Sequence, residues 1–174
     1  MKTSLSLLIQ YARYHRDPRN IATHLLGIPM IVLAVAVLLA RARIDLGGWS
    51  LNASWLAWAV ATAWYLRLGL GAVEWGVSVA VGLLVALAQP LATGDWIQWL
   101  GWGLGLFVLG WLIQFLGHFY EGRKPAFVDD LVGLLVGPMF VVAELLFALG
   151  RCQALKASID EAAGPVRSRS GAAP

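Results

Sequence analysis

Trp96–Phe119 (WIQWLGWGLGLFVLGWLIQFLGHF) runs for about 24 residues without a formal charge. As a helix it rises about 36 Å, enough to cross a hydrocarbon layer about 30 Å thick. A polar island follows at once: Gly117-His118-Phe119-Tyr120-Glu121-Gly122-Arg123-Lys124-Pro125, with Asp129 and Asp130 beyond. The rest of the chain repeats this contrast. Of its 174 residues, 59% are hydrophobic and 13% charged. Soluble domains carry roughly 25% charged residues. The composition therefore reads as a membrane protein, and the nine tryptophans suit interfacial anchors.

Three more spans are expected. Ile21–Ala40 is interrupted in pattern by Gly27 and Pro29 and stopped by Arg41 and Arg43. Ala53–Leu66 and Gly71–Ala88 are short, and the tight Arg67–Gly71 link makes them a helical hairpin. A fifth apolar run, Leu131–Leu149, contains Gly137-Pro138 and Glu144. It reads as a bent or re-entrant segment, with Gly137-Pro138 as the bend and Glu144 inside the bundle. Ser4–Tyr14 reads as an interfacial helix. Arg13, His15 and Arg16 stand where a signal peptide would need small cleavage-site residues. The expected fold is thus all-α: a polytopic helical bundle of four spanning helices plus the bent fifth segment. Residues 1–150 form one membrane-embedded catalytic domain, and 151–174 a polar tail, disordered from Gly164 to Pro174. Cys152 is the single cysteine, so no internal disulfide or cysteine-rich metal site exists.

The other polar island is Tyr14-His15-Arg16-Asp17-Pro18-Arg19-Asn20, with His24 just beyond. Four crossings separate the two islands, an even number, so both face one side. Lys2, Arg13, Arg16, Arg19, Arg67, Arg123 and Lys124 lie on that side, and Arg41 and Arg43 on the other. If the fifth run is re-entrant, the tail's Arg151, Lys156, Arg167 and Arg169 join the first group, giving 7 + 4 = 11 against 2. That bias points to a cytoplasmic histidine side and, with it, an inner-membrane protein. The scattered basic residues favour anionic lipid over nucleic acid as a partner.

Imidazole and carboxylate suit redox metals. His15 and His24 would point apart on one continuous helix, but Pro18 ends the first helix near Asp17. Asn20 or Thr23 then caps the next helix, and the two histidines can converge at the corner. Each also fits an ordinary interfacial side chain. His118 and Glu121 are three apart and share a helical face, a spacing found in carboxylate-bridged iron sites and equally in plain surface hydrogen bonds. Gln114 faces the same way and can orient a ligand. Asp129 either caps the following helix or reaches the metal. Glu144, ionisable inside an apolar run, suggests a functional or network role. Arg16 and Arg123 can fork a fatty carboxylate at the water boundary, or simply anchor the positive side.

Together the islands resemble a family. The residues are Tyr11 and Tyr14, His15-Arg16-Asp17-Pro18-Arg19-Asn20, His24, Gly27-Ile28-Pro29, then Gln114, Gly117-His118, Glu121–Ala126, Asp129, Gly137-Pro138, Phe140 and Glu144. They are similar to small membrane 2-hydroxy fatty acid dioxygenases, with a fungal Fe(II)-dependent member that removes one carbon during phytosphingosine breakdown. The resemblance covers roughly Met1–Gly150. It implies Fe(II) held by His15, His24 and His118, with Glu121 as first-choice carboxylate ahead of Asp129 and Glu144. It also implies O2 as co-substrate, a fatty acid substrate, and Arg16, Asn20, Arg123 and Glu144 as the catalytic and orienting set. A transporter, or a scaffold around a structural metal, are the competing classes. Clustering of the polar groups at one face argues against the first, and the lack of cysteine ligands against the second.

Overall fold

The computed structural model describes residues 3–69, 71–123 and 132–167. Seven helices are seen among them: α1 Ser4–Ala12, α2 Pro18–Ala40, α3 Ala53–Leu68, α4 Ala72–Leu91, α5 Trp96–Glu121, α6 Gly133–Ala148 and α7 Gln153–Ala163. A two-stranded antiparallel hairpin, β1 Arg43–Leu46 and β2 Trp49–Asn52, joins α2 to α3. Its turn needs Gly47 and Gly48, both at positive φ (56° and 103°). The architecture is the all-α helical bundle expected, with the hairpin as its only sheet among the described residues.

Helix starts follow local chemistry. Pro18 opens α2, where its missing amide proton costs nothing, and the Asp17 side chain accepts from the Arg19 amide as the cap. The expected cap at Asn20 or Thr23 is therefore wrong: both lie inside the helix. Pro29 does not interrupt α2, which continues through it. Asp95 caps α5 through the Gln98 amide, and Gly122 ends that helix in the left-handed region (φ 64°).

α2, α4 and α5 are long and apolar enough to cross a membrane. α3 has only 16 residues, about 24 Å of rise, and is shorter than the helices it packs on. At one end Asn52 Nδ2 donates to Gln89 Oε1, near the end of α4. At the other, Glu74 in the first turn of α4 accepts from Ser4 Oγ of α1. Arg41, closing α2, donates to the carbonyls of Ala92, Gly94 and Asp95 before α5.

α2 packs most extensively against α5. The contact is backbone to backbone, because a Cβ on Gly27 would sit 2.9 Å from the Gly110 carbonyl oxygen, and one on Gly110 3.0 Å from that of Gly27. Small residues permit such an approach in lipid. Gly27→Ala gains about 1 kcal/mol of helix propensity but forces the helices apart. We expect a net loss of about 1–2 kcal/mol, read as a lowered thermal midpoint in detergent. An unchanged midpoint would show that the crossing has slack.

α6 also departs from expectation. It is continuous through Gly137-Pro138; the sharp turn comes after it, where α6 and α7 meet at 117°. Gly133 and Leu134, at its start, line a cavity with Ile31 and Val32 of α2 and Trp111 of α5, about two helical turns below the histidine level. α6 then rises to α1 and α7, which pack on one another at the histidine end. Glu144 is accordingly half-buried near the rim, with Arg16, Lys156 and Asp160 as charged neighbours, and not deep in the bundle. The segment after Arg151 begins as an ordered helix whose Ile159 is buried; residues 168–174 lie outside the described set.

Candidate metal centre

Pro18 divides the chain into α1 and α2, and the corner between them carries His15. His24 lies two turns into α2, and His118 one turn from the end of α5. The α2–α5 crossing brings them together. All three are buried, and one ligand atom from each lies within 4.8 Å of the others. Ring centroids are 4.3 Å apart for His15–His24 and 5.0 Å for each to His118. Distant parts of the chain, more than 100 residues apart in sequence, meet at one rim.

Hydrogen bonds fix two of the rings. His15 Nδ1 lies 2.7 Å from the Tyr11 carbonyl and His24 Nδ1 2.8 Å from the Asn20 carbonyl. A carbonyl only accepts, so both Nδ1 atoms carry the proton. Burial, followed by the nearby His24, pushes His15 well below the usual histidine range, so its ring is neutral. Both Nε2 atoms then offer lone pairs, and these stand 2.9 Å apart. Two lone pairs at that distance repel unless a cation lies between them. Nitrogens about 2.1 Å from one metal, at right angles, would be about 3 Å apart. The donor set therefore fits a divalent metal, with each ring oriented through its other nitrogen. Tyr11 stacks on His15 at 4.1 Å and 7°, and Phe140 of α6 closes the apolar side at 5.5 Å.

Glu121, the first-choice carboxylate, has backbone and amide partners at the α1–α2 corner. Glu121 lies outside the ligand cluster found among the described residues. Its Oε2 accepts from the Arg16 amide (3.0 Å), the Asp17 amide (2.8 Å) and Asn20 Nδ2 (3.0 Å). It clamps the α1–α2 corner onto α5, which holds His15 against His118. Asn20 serves the same corner, donating also to the Tyr14 carbonyl. Asp129 lies outside the described residues.

Nor do the arginines point at the centre. Arg16 is buried and turned toward α7: Nη1 donates to Asp160 Oδ1 (3.0 Å) and the Gly164 carbonyl (2.7 Å), and Nε to the His15 carbonyl. Arg123 is exposed and donates to the Arg13 carbonyl. The geometry thus unites His15, His24 and His118 but keeps Arg16, Arg123 and Glu144 at the rim. Gln114 is the polar group that does face in. It lines the histidine cavity, and its Oε1 is buried without a hydrogen-bond partner. The supporting roles of Asp17 and of the Tyr11 carbonyl were not anticipated. Tyr11 stands four before His15, the spacing of a helical turn, which is the one signal available.

No solved structure matches the chain. A curated relative, the 2-hydroxy-palmitic acid dioxygenase MPO1 of Saccharomyces cerevisiae, is 32% identical over 154 residues, which cover 86% of this chain and 83% of the yeast protein. The family model described as 2-hydroxy-palmitic acid dioxygenase Mpo1-like matches residues 1–149, a stretch that contains all three histidines, the Glu121 clamp and α6. The chain therefore belongs to the Mpo1-like family.

Proposed function

We propose that this protein is a membrane dioxygenase that shortens 2-hydroxy fatty acids by one carbon, using Fe(II) held by His15, His24 and His118. The observation that carries it is the cluster of three buried histidines, with the Nε2 atoms of His15 and His24 2.9 Å apart, beside a cavity that opens among apolar helices. Neutral nitrogen ligands suit Fe(II). When bound, the metal supplies dioxygen activation and a Lewis acid for the hydroxyl and carboxylate of the substrate. Zinc in a structural role would more commonly take four protein ligands, often cysteines.

The chain's own residues bind and orient. Gln114, with its unpartnered amide oxygen, is placed to accept from the 2-hydroxyl. Tyr11, Phe140 and Ile28 exclude water from one side of the centre. Asn20 and Glu121 keep the corner closed. The overall balance is a 2-hydroxy acid plus O2 giving the acid one carbon shorter, CO2 and water. It needs no external reductant.

The test is anaerobic loading with Fe(II), then 2-hydroxypalmitate and O2, with products identified by mass spectrometry. Pentadecanoic acid at one O2 consumed per product is the expected result. Activity with zinc alone, or product only when a reductant is added, would sink the reading.

We also place the histidine rim on the cytoplasmic side of a bacterial inner membrane, on the 11-to-2 positive-charge bias. Because α1 and α7 pack together, reporters fused to either terminus should agree. A carboxyl-terminal green fluorescent protein should fluoresce and a phosphatase at the same position stay silent. The reverse pattern would invert the topology.

A further inference from the structure

A second cavity, about 360 Å³, lies beneath the histidine centre. It runs over α2 between α3 and α5, two helices that barely touch. α6 starts at mid-depth and roofs only its upper end, through Leu134, Leu135 and Pro138. The two cavities are continuous in lining: Ile31, Val32, Trp111, Leu134 and Pro138 border both. The lower one is almost wholly apolar. Its edges are open to the surroundings, since Val35 is 38% and Leu134 48% exposed and Ala57 is exposed as well.

We infer that this groove holds the acyl chain of the substrate, which slides in sideways from the bilayer with its carboxyl end leading to the histidines. The inference rests on the function proposed above and adds where the chain lies and what measures its length. Length supports it. From His24 to Leu39, the deepest α2 residue in the lining, the helix rises about 22 Å. One leaflet, half of a core about 30 Å thick, is about 15 Å deep. The groove therefore takes a long acyl chain and leaves a short one with room to spare. Small side chains keep it open: Ala57 and Ala61 stand one turn apart on α3, both facing the groove. Because α3 runs antiparallel to α2, Ala61 is nearer the histidines and Ala57 nearer the far end.

Chain length is thus read on α3. Ala57→Phe should block the lower groove and Ala61→Phe a higher level. Excluding methylenes from an apolar pocket costs about tenfold or more in kcat/KM. The iron-loaded enzyme is assayed against 2-hydroxy acids of 8 to 20 carbons. Ala57→Phe should lose at least about tenfold on the longest acids and keep the shortest; Ala61→Phe should move the cut-off to shorter chains. A metal-independent measurement runs beside it. Fatty acids carrying a diazirine near the methyl end are photolysed with the metal-free protein in vesicles, and labelled residues are mapped. Labels near Ser54–Ala61 support the groove. Labels confined to outward residues such as Leu83, Leu87 or Leu112, or an unchanged length profile in both variants, overturn it. If labels fall in the groove while the wild type turns over no 2-hydroxy acid, the acyl site stands and the reaction assignment fails.

Discussion

Alanine at His15, His24 or His118, one at a time, is expected to empty the centre of iron and to lower turnover of a 2-hydroxy fatty acid by more than about a hundredfold. Removing a group that merely orients a metal ligand costs about 10–100-fold, and removing a ligand exceeds that. The three substitutions are not equivalent in packing. His15 is 0% exposed, between Tyr11 and Phe140, so its loss also leaves a hole in the core. His118 is 7% exposed and sits near a helix end. His118→Ala should therefore fold nearly as well as the parent, and it is the cleaner test. Iron per folded protein and product formation are measured together. Parent-level iron in His118→Ala would remove that residue from the centre.

Glu121 gives the second large effect, and it separates two roles. As a clamp, it satisfies two buried backbone amides and the Asn20 amide through one oxygen. Glu121→Ala strands those donors. Each buried unsatisfied donor costs about 1–3 kcal/mol, so a loss of about 3–5 kcal/mol is expected, a large share of the roughly 5–15 kcal/mol by which proteins are ordinarily stable. Glu121→Gln keeps an acceptor at the same place. It should remain folded, with iron affinity within about tenfold of the parent. A direct ligand would behave differently: the glutamine variant would fold and lose its iron. Denaturation in detergent and metal analysis of the two variants decide between these outcomes.

The hydropathy of Trp96–Glu121 and the two polar islands made the bundle and the meeting of the histidines readable, because both follow from span count and parity. The carboxylates were harder to read. His118 and Glu121 share a helical face by spacing, yet the corner presents the Arg16 and Asp17 amides to that face, and these backbone donors captured Glu121. Such a donor nest depends on the path of the loop, which no side-chain pattern records. Arg16 was read as a substrate fork because it adjoins His15. Its partners Asp160 and Gly164 lie 144 and 148 positions away, and only tertiary packing reveals them. The bend of Leu131–Leu149 was misplaced for a simpler reason. Gly137-Pro138 is a strong local breaker, but the ring is accommodated within α6, and the chain turns instead at Gly150, in the left-handed region at φ 73°.

Arg16 reaches across 144 positions to Asp160, and α1 lies against α6 and α7. During synthesis, the residue that opens the ligand set thus waits for segments that leave the ribosome last. Helices α2 to α5 can enter the bilayer one after another, but the corner holding His15 closes only when translation is nearly complete. Any metal taken up by the three histidines is then best acquired by a finished polypeptide, and a message truncated before Gln153 would yield an inserted product whose histidine corner has never been sealed.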